Sequence, residues 1–300
     1  MGASPLPALL ALLGAMFFGI SGLAAQQGLR HGDARHGSLI SIGTTALFYW
    51  LLLPYSLHEA HWTAATLLRF LAVFGAIGLL SPSVSLLLSF EGNRRLGPTV
   101  SGTIASTAPL FGAGSAVLVL GERLTPGVGL GTLGIVAGVM VLSWRRAGRR
   151  DAPLWAALFP LGAAIVRGGG HMVTKLAFEV AVAPFTAALV TYNVSFVAVA
   201  LANRFGSARR PRIGLAAELR AILHSGRRWF LLTGVLNGLA LLCQFVALSR
   251  GQVVVVSPIV STYPLFTFAF SLLFRLERLG LRIALGVLLV VLGVVAVSTH

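Results

Sequence analysis

Ten long apolar runs constrain this sequence more than any other feature. Each run holds between 18 and 28 residues, and an α-helix needs roughly 20 residues to cross a hydrocarbon core of about 30 Å. Because water is absent from such a core, each segment must satisfy its own backbone N–H and C=O groups, as a helix does. We therefore predict an all-α integral membrane protein with ten transmembrane helices. The runs lie at residues 6–28, 38–57, 67–89, 98–120, 126–143, 154–181, 184–203, 229–249, 253–274 and 280–298.

The charged residues are concentrated in the connections between these runs. The formal net charge is +15, although only 10% of the residues are charged, whereas a soluble domain has about 25%. Basic loops follow from the positive-inside rule and attract anionic lipid headgroups. We therefore attribute the charge to membrane topology, with the lipid bilayer as partner, and expect no nucleic-acid partner.

The chain repeats itself after 155 residues. Residues 96–143 align with residues 251–298 without a gap, and 18 of these 48 positions are identical. Composition alone would match Leu with Leu, but it would not keep proline, glycine and a Glu-Arg pair in register. We predict structural or hinge roles for three of the matched pairs, which are Pro109 and Pro264, Glu122 and Glu277, and Gly131 and Gly286.

The duplication predicts two halves of five helices each, residues 1–150 and residues 151–300. An odd number of helices places the second half upside down, which gives an inverted repeat with a pseudo-two-fold axis in the membrane plane. Secondary transporters use this architecture, with the substrate site near the midplane between the halves. Two similar halves can exchange conformations, so we expect alternating access.

The order of the motifs resembles the EamA family of the drug/metabolite transporter superfamily. The sequence Gly-Glu-Arg-Leu-Thr at 121–125 is followed by Gly131 and Gly138, while the second copy at 276–280 lacks the first Gly and the Thr. The resemblance covers the last two helices of each half. It implies a ten-helix carrier in the plasma (cell inner) membrane, often an exporter of amino acids or related compounds.

The positions of the acidic residues and the motifs that are missing argue against three other classes of protein. All eight Asp and Glu residues fall in predicted loops or at helix ends, so no midplane carboxylate is present for a proton-coupled cation exporter. No Asp-rich motif, His-Glu-x-x-His motif or Cys cluster suggests a membrane enzyme, and no phosphate-binding loop suggests ATP hydrolysis. We therefore expect a gradient-driven protein that is not an enzyme and needs no cofactor or metal.

The sixth predicted helix carries a basic stripe. Arg167, His171 and Lys175 follow one another at four-residue intervals, which places them on nearly one helix face about 6 Å apart. Arg167 near the midplane predicts an anion site that holds a carboxylate or phosphate, with His171 as a hydrogen-bond or proton partner. The alternatives are that Arg167 bonds backbone carbonyls and that Lys175 reaches the interface.

Gly168, Gly169 and Gly170 lie between Arg167 and His171, and they indicate either a bend, a ligand contact or close helix packing. Other polar residues inside the helices complete the predicted substrate site, which adds Asn237, Gln244, Gln27, Ser85 and Tyr263.

These observations predict a secondary transporter, an exporter by resemblance, for an amino acid or related carboxylate. An organophosphate or nucleotide-sugar exchanger, and a membrane protein without transport activity, remain as alternatives. The partners are a small metabolite and lipid, with a homodimer as an open alternative to a monomer.

Sorting Lys and Arg by face gives four residues on the face of the termini and eighteen on the other, which predicts both termini outside. The family resemblance instead implies cytoplasmic termini.

Overall fold

The computed structural model describes residues 5–31, 34–56, 62–96, 98–143, 153–205, 226–274 and 281–299. These residues are almost all helical, and no strand occurs among them. Glu277 and its motif lie outside the described residues. The helices are α1 (Leu6–His31), α2 (Ala34–Leu51), α3 (Leu53–Ser56), α4 (Ala64–Gly78), α5 (Ser85–Leu96), α6 (Pro98–Ala105), α7 (Ala108–Leu120), α8 (Pro126–Ser143), α9 (Leu158–Ala177), α10 (Pro184–Phe205), α11 (Arg227–Arg250), α12 (Val253–Val260), α13 (Tyr263–Leu273) and α14 (Leu281–Ser298).

The described helices include several that can cross a membrane. Helix α9 is not in the group of longest apolar stretches, because its interior carries Arg167, His171 and Lys175. The multi-pass, all-helical part of the prediction is confirmed, while the count of ten crossings stays a prediction. Six stretches are long and apolar enough, and these are Leu6–His31, Ala64–Ser81, Val100–Leu120, Pro184–Ala202, Arg227–Arg250 and Val253–Leu273.

Two of these stretches are broken at equivalent places. Pro109 and Pro264 are the second residues of α7 and α13, and a proline has no N–H to donate to the preceding turn. Just before each proline a threonine hydroxyl donates to a carbonyl three residues earlier: Thr107 Oγ1 donates to Ile104 and Thr262 Oγ1 donates to Ile259, both at 2.7 Å. The helix is therefore interrupted next to each proline, and the structural or hinge roles of Pro109 and Pro264 stay predictions.

A third interruption lies between α4 and α5, where Leu79–Val84 forms a π-helical segment. Ser81 in this segment has φ −135° and ψ 116°, which is not helical. Because Pro82 cannot donate to the carbonyl of Gly78, that oxygen accepts the hydroxyls of Ser83 at 3.1 Å and Ser195 at 2.6 Å. Two hydroxyl groups thus satisfy the Gly78 carbonyl at the kink.

The last helices of the two repeats, α8 and α14, pack closely through glycines. A Cβ atom added at Gly131 would lie 2.7 Å from the carbonyl oxygen of Gly293, and one at Gly138 would lie 2.8 Å from that of Gly286. Small residues allow such close approach of membrane helices. Since the start of α8 meets the end of α14, these two matched helices run antiparallel.

The first helices of the two repeats, α1 and α9, also occupy equivalent places. A Cβ atom at Gly168 of α9 would overlap the carbonyl oxygen of Ala108 in α7. One at Gly19 of α1 would lie 2.8 Å from the carbonyl oxygen of Tyr263 in α13. Ala108 and Tyr263 are matched positions of the 155-residue repeat, so each first helix packs on the broken helix of the other half.

Aromatic rings fill the interior between α4, α11 and the end of α9. Phe70 and Phe74 have ring centroids 4.4 Å apart, Phe74 and Phe178 5.4 Å, and Phe178 and Phe245 6.0 Å. All four side chains are buried. Aromatic pairs at these spacings stabilise a packed core beyond the area they bury, so this region is a closed part of the molecule.

Candidate functional site

A cavity of about 100 Å³ lies where the two helix breaks meet. Its lining includes three matched pairs of the repeat, one residue of each pair from each half. A site built in this way lies between the halves of the protein. The lining consists of Ser106 and Ser261, Ala108 and Tyr263, Pro109 and Pro264, together with Gly102, Ala105, Val139 and Arg167.

Arg167 is the charged residue among the lining residues that the structure describes. Its Nη2 atom donates a long hydrogen bond of 3.4 Å to the hydroxyl of Ser89, and that hydroxyl donates to the carbonyl of Ser85 at 2.7 Å. Within the described ranges Arg167 forms no ion pair with a carboxylate. A half-buried guanidinium therefore has donors left for an anion.

His171 lies one helical turn beyond Arg167 but does not line the cavity. The side chain is buried, and its Nδ1 atom lies 2.8 Å from the hydroxyl of Ser257 in α12. Ser257 is fully buried. The histidine thus ties α9 to the half-helix that leads into the second break.

Lys175, the third residue of the stripe, is directed to the end of α11. Its Nζ atom donates to the carbonyls of Leu248 at 2.9 Å and Gly251 at 2.8 Å. Carbonyls at a helix C-terminus carry partial negative charge and favour a cation there. Lys175 is therefore absent from the described cavity lining and serves as a helix cap.

Glu122 caps the neighbouring helix from the other half. Its two carboxylate oxygens accept the backbone N–H groups of Val253 at 2.9 Å and Val254 at 2.8 Å, which open α12. A carboxylate at a helix N-terminus satisfies free donors and complements the dipole. Glu122 and Lys175 together hold the turn between α11 and α12 with opposite charges, and we call these two residues the clasp.

The remaining predicted site residues are spread over several contacts. Asn237 Oδ1 accepts the hydroxyl of Ser21 at 2.7 Å. Gln244 is buried, and no hydrogen bond of its side chain occurs among the described residues. The structure thus brings Arg167 and Tyr263 to the cavity, whereas the predicted residues outside its lining are His171, Lys175, Asn237, Gln244, Gln27 and Ser85.

Three residues near the site were not predicted as binding residues. Ser106 and Ser261 line the cavity, and Ser89 contacts Arg167. The first two precede the duplicated prolines, and Ser89 continues the four-residue serine spacing of Ser81 and Ser85. A serine near a proline in a membrane helix is explained by bonding to the backbone groups that the proline frees. Its position in the sequence therefore does not by itself predict a contact with a ligand.

The three glycines of α9 have different environments. Gly168 packs against the backbone of α7, as described above, whereas a Cβ atom at Gly169 would meet nothing within 4 Å. At Gly170 it would lie 3.8 Å from the Cβ atom of Ser81. Close packing therefore explains Gly168, and the glycines do not line the cavity within the described chain.

The sequence was also compared with the profiles of known protein families. The profile of the EamA-like transporter family matches residues 5–144 and, a second time, residues 154–299. The chain belongs to the EamA-like transporter family. The EamA-like chain is therefore a multi-pass membrane protein of a transporter family of the drug/metabolite type, which confirms the predicted resemblance.

The fold is also found among solved structures. One crystal structure matches 97% of the EamA-like chain and 95% of its own chain, with a TM-score of 0.72 and 17% sequence identity. At that identity the likeness shows the fold alone. No match was found among curated proteins.

Proposed function

We propose that this EamA-like protein is a secondary transporter that binds a small organic carboxylate, such as an amino acid, at Arg167. The observation that carries the proposal is a guanidinium without a carboxylate partner, within the described chain, at a cavity between the two repeats. An unpaired charge inside a membrane is costly and is generally a functional feature. A carboxylate can accept two parallel hydrogen bonds from arginine.

The charge of the cavity favours a carboxylate over an organophosphate. A phosphate group carries up to two negative charges at neutral pH, and two cations near each other would bind it best. Lys175 donates to the carbonyls of Leu248 and Gly251 rather than lining the cavity. Arg167, the cation among the described lining residues, matches one carboxylate.

We further propose that the protein works by alternating access and that it is a ten-helix inverted repeat. Its two halves are residues 1–150 and 151–300. The antiparallel packing of α8 and α14 supports this symmetry, as do the matched helix breaks on either side of the cavity. Transporters with inverted repeats bind substrate between the repeats at broken helices. Family resemblance favours export across the inner membrane.

A ligand-dependent thermal shift tests the proposal. Ligands that bind only the folded state raise its apparent stability, so purified wild-type protein screened with amino acids and organic acids should show stabilisation by carboxylates. Arg167→Ala should abolish these shifts, and Arg167→Lys should keep part of them because the charge remains without the bidentate geometry. Equal shifts in wild type and Arg167→Ala would exclude the anion site.

Transport itself is tested in liposomes loaded with the carboxylate that gives the largest thermal shift. Wild-type protein should release it down its gradient, whereas Arg167→Ala liposomes should retain it. Retention by both would rule out transport of that compound even where binding is present.

A further inference from the structure

We propose that the side chain of Tyr263 limits the size of the substrate and restricts it to carboxylates with short side chains. This inference rests on the proposed function, since it assumes that a carboxylate occupies the cavity at Arg167. The inference concerns a residue that lines the same cavity from the second half. It follows from the difference between the side chains of Ala108 and Tyr263, which occupy matched positions of the repeat.

The position of Tyr263 is fixed by the symmetry of the two breaks. Ala108 and Tyr263 are the first residues of α7 and α13, and each is packed through its carbonyl oxygen against a glycine of a first helix, Gly168 or Gly19. The backbone at the two positions is therefore held in the same way. What differs is the side chain, a methyl group in one half and a phenol in the other.

The two side chains differ in size at a cavity that both residues line. Ala108 and Tyr263 both line the cavity, but Ala108 is 5% exposed while Tyr263 is 36% exposed. The cavity holds about 100 Å³, below the roughly 300–1,000 Å³ of sites that enclose drug-sized ligands. In so small a cavity, a phenol at this position leaves less room for a ligand than the methyl group of Ala108 does at the equivalent position.

Arg167 and Tyr263 are attached to the backbone near different breaks. Arg167 precedes Gly168, which packs on Ala108 at the first break, whereas Tyr263 belongs to the second break. We expect a ligand whose carboxylate is bound at Arg167 to extend across the cavity toward Tyr263, which lines it from the second break. The distance between carboxylate and ring then sets how long a substituent fits.

Calorimetric titration of the purified full-length protein tests the inference. The probes are acetate, isobutyrate and phenylacetate, with glycine, valine and phenylalanine as their amino counterparts. Wild type should bind the smallest probe of the better series at least about tenfold more tightly than its aromatic member, the scale at which packed sites reject added bulk. Tyr263→Ala should remove that difference, and Tyr263→Phe, which keeps the ring, should retain it.

A second variant guards against a loss of binding that comes only from misfolding of Tyr263→Ala. Alanine already occupies the equivalent position at Ala108, so we expect Tyr263→Ala to fold, and Tyr263→Leu gives a second, intermediate size. Wild type that binds phenylacetate or phenylalanine as tightly as the smallest probe would overturn the inference, as would an unchanged order of affinities in both Tyr263→Ala and Tyr263→Leu. Binding of no probe by wild type, or equal binding by Arg167→Ala, would instead overturn the proposed function on which the inference rests.

Discussion

Helices α1 and α9 hold equivalent places in the two repeats, yet only α9 carries charge in its interior. Superposing Gly19 on Gly168 shifts the numbering by 149 residues and sets Phe18 opposite Arg167. By the same shift Gly22 corresponds to His171 and Gln26 to Lys175. Backbone packing is thus shared by the halves, while the polar chemistry belongs to one of them. A symmetric fold can hold an asymmetric site because function depends on the side chains grafted onto it.

The largest expected effect on stability tests the packing that the two halves share. Gly168→Ala should destabilise the protein by about 1–3 kcal/mol, because the added Cβ atom overlaps the backbone of α7 in a packed interior. Gly19→Ala should cost a similar amount, since its Cβ atom would meet the backbone of α13. The measurement is the thermal unfolding temperature in detergent.

Gly169→Ala is the matched control for this pair. It lies in the same helix, and its added Cβ atom would meet nothing within 4 Å, so the better helix propensity of alanine should leave stability unchanged or raise it by up to about 1 kcal/mol. If Gly168→Ala and Gly169→Ala unfold at the same temperature, close packing does not fix α9 in place.

The next effect concerns the clasp, which distinguishes the two halves at the end of α9. Lys175→Ala should lower stability by about 1–3 kcal/mol, because two carbonyls that bond an ammonium group lose their donor. Glu122→Ala should cost about 0.5–2 kcal/mol, as expected for loss of a helix N-terminal cap.

Gln26, the counterpart of Lys175 on α1, provides the comparison. It is exposed, so Gln26→Ala should change stability by less than about 0.5 kcal/mol. Denaturation of the three variants under one set of conditions checks the order. A cost for Gln26→Ala equal to that for Lys175→Ala would mean that the clasp contributes no more than the matching position of α1.

Part of this arrangement was readable from the sequence, and the reason is local chemistry. The duplicated prolines predict the breaks at Pro109 and Pro264, because a missing N–H disrupts a helix wherever it occurs. Glycine spacing similarly predicts close packing at Gly131 and Gly286. Four-residue spacing places Arg167, His171 and Lys175 on one face of a helix regardless of their neighbours.

The contacts between distant segments could not be predicted in this way. Glu122 meets the first residues of α12 only because the two halves pack together, and no local pattern reports that distance. The equivalence of Gly19 and Gly168 was also hidden, since the first helices of the two repeats match in hydropathy alone. Lys175 appears on the same sequence stripe as Arg167, yet its long side chain reaches α11 instead.

The smallest expected effect lies at the surface, where α5 supports the start of α9. Glu91 accepts hydrogen bonds from Arg94 and Arg95, which lowers the pKa of its carboxyl group. A lowered pKa adds stability that is present above the pKa of the unfolded chain and is lost as pH falls through the folded value. Because Glu91 is partly accessible and pairs with arginines at the surface, we expect only a slight loss of stability on acidification.

Glu91→Gln should remove this slight acid dependence. At neutral pH it should change the free energy of unfolding by no more than a typical surface ion pair contributes. Unfolding temperatures between neutral and acidic pH, compared for wild type and Glu91→Gln, check the sign. A wild-type protein that becomes more stable than the variant as pH falls would contradict it.

The asymmetry of charge between α1 and α9 is tested most directly by titrating one carboxylate, the probe that wild type binds most tightly, into wild type, Arg167→Ala and Phe18→Leu. We predict that Phe18→Leu keeps wild-type affinity to within about threefold, whereas Arg167→Ala loses about 10- to 100-fold or more, the range expected for a hydrogen-bonded charge. Equal losses in both variants, or binding that persists in Arg167→Ala, would contradict a carboxylate site held by the second half of the protein.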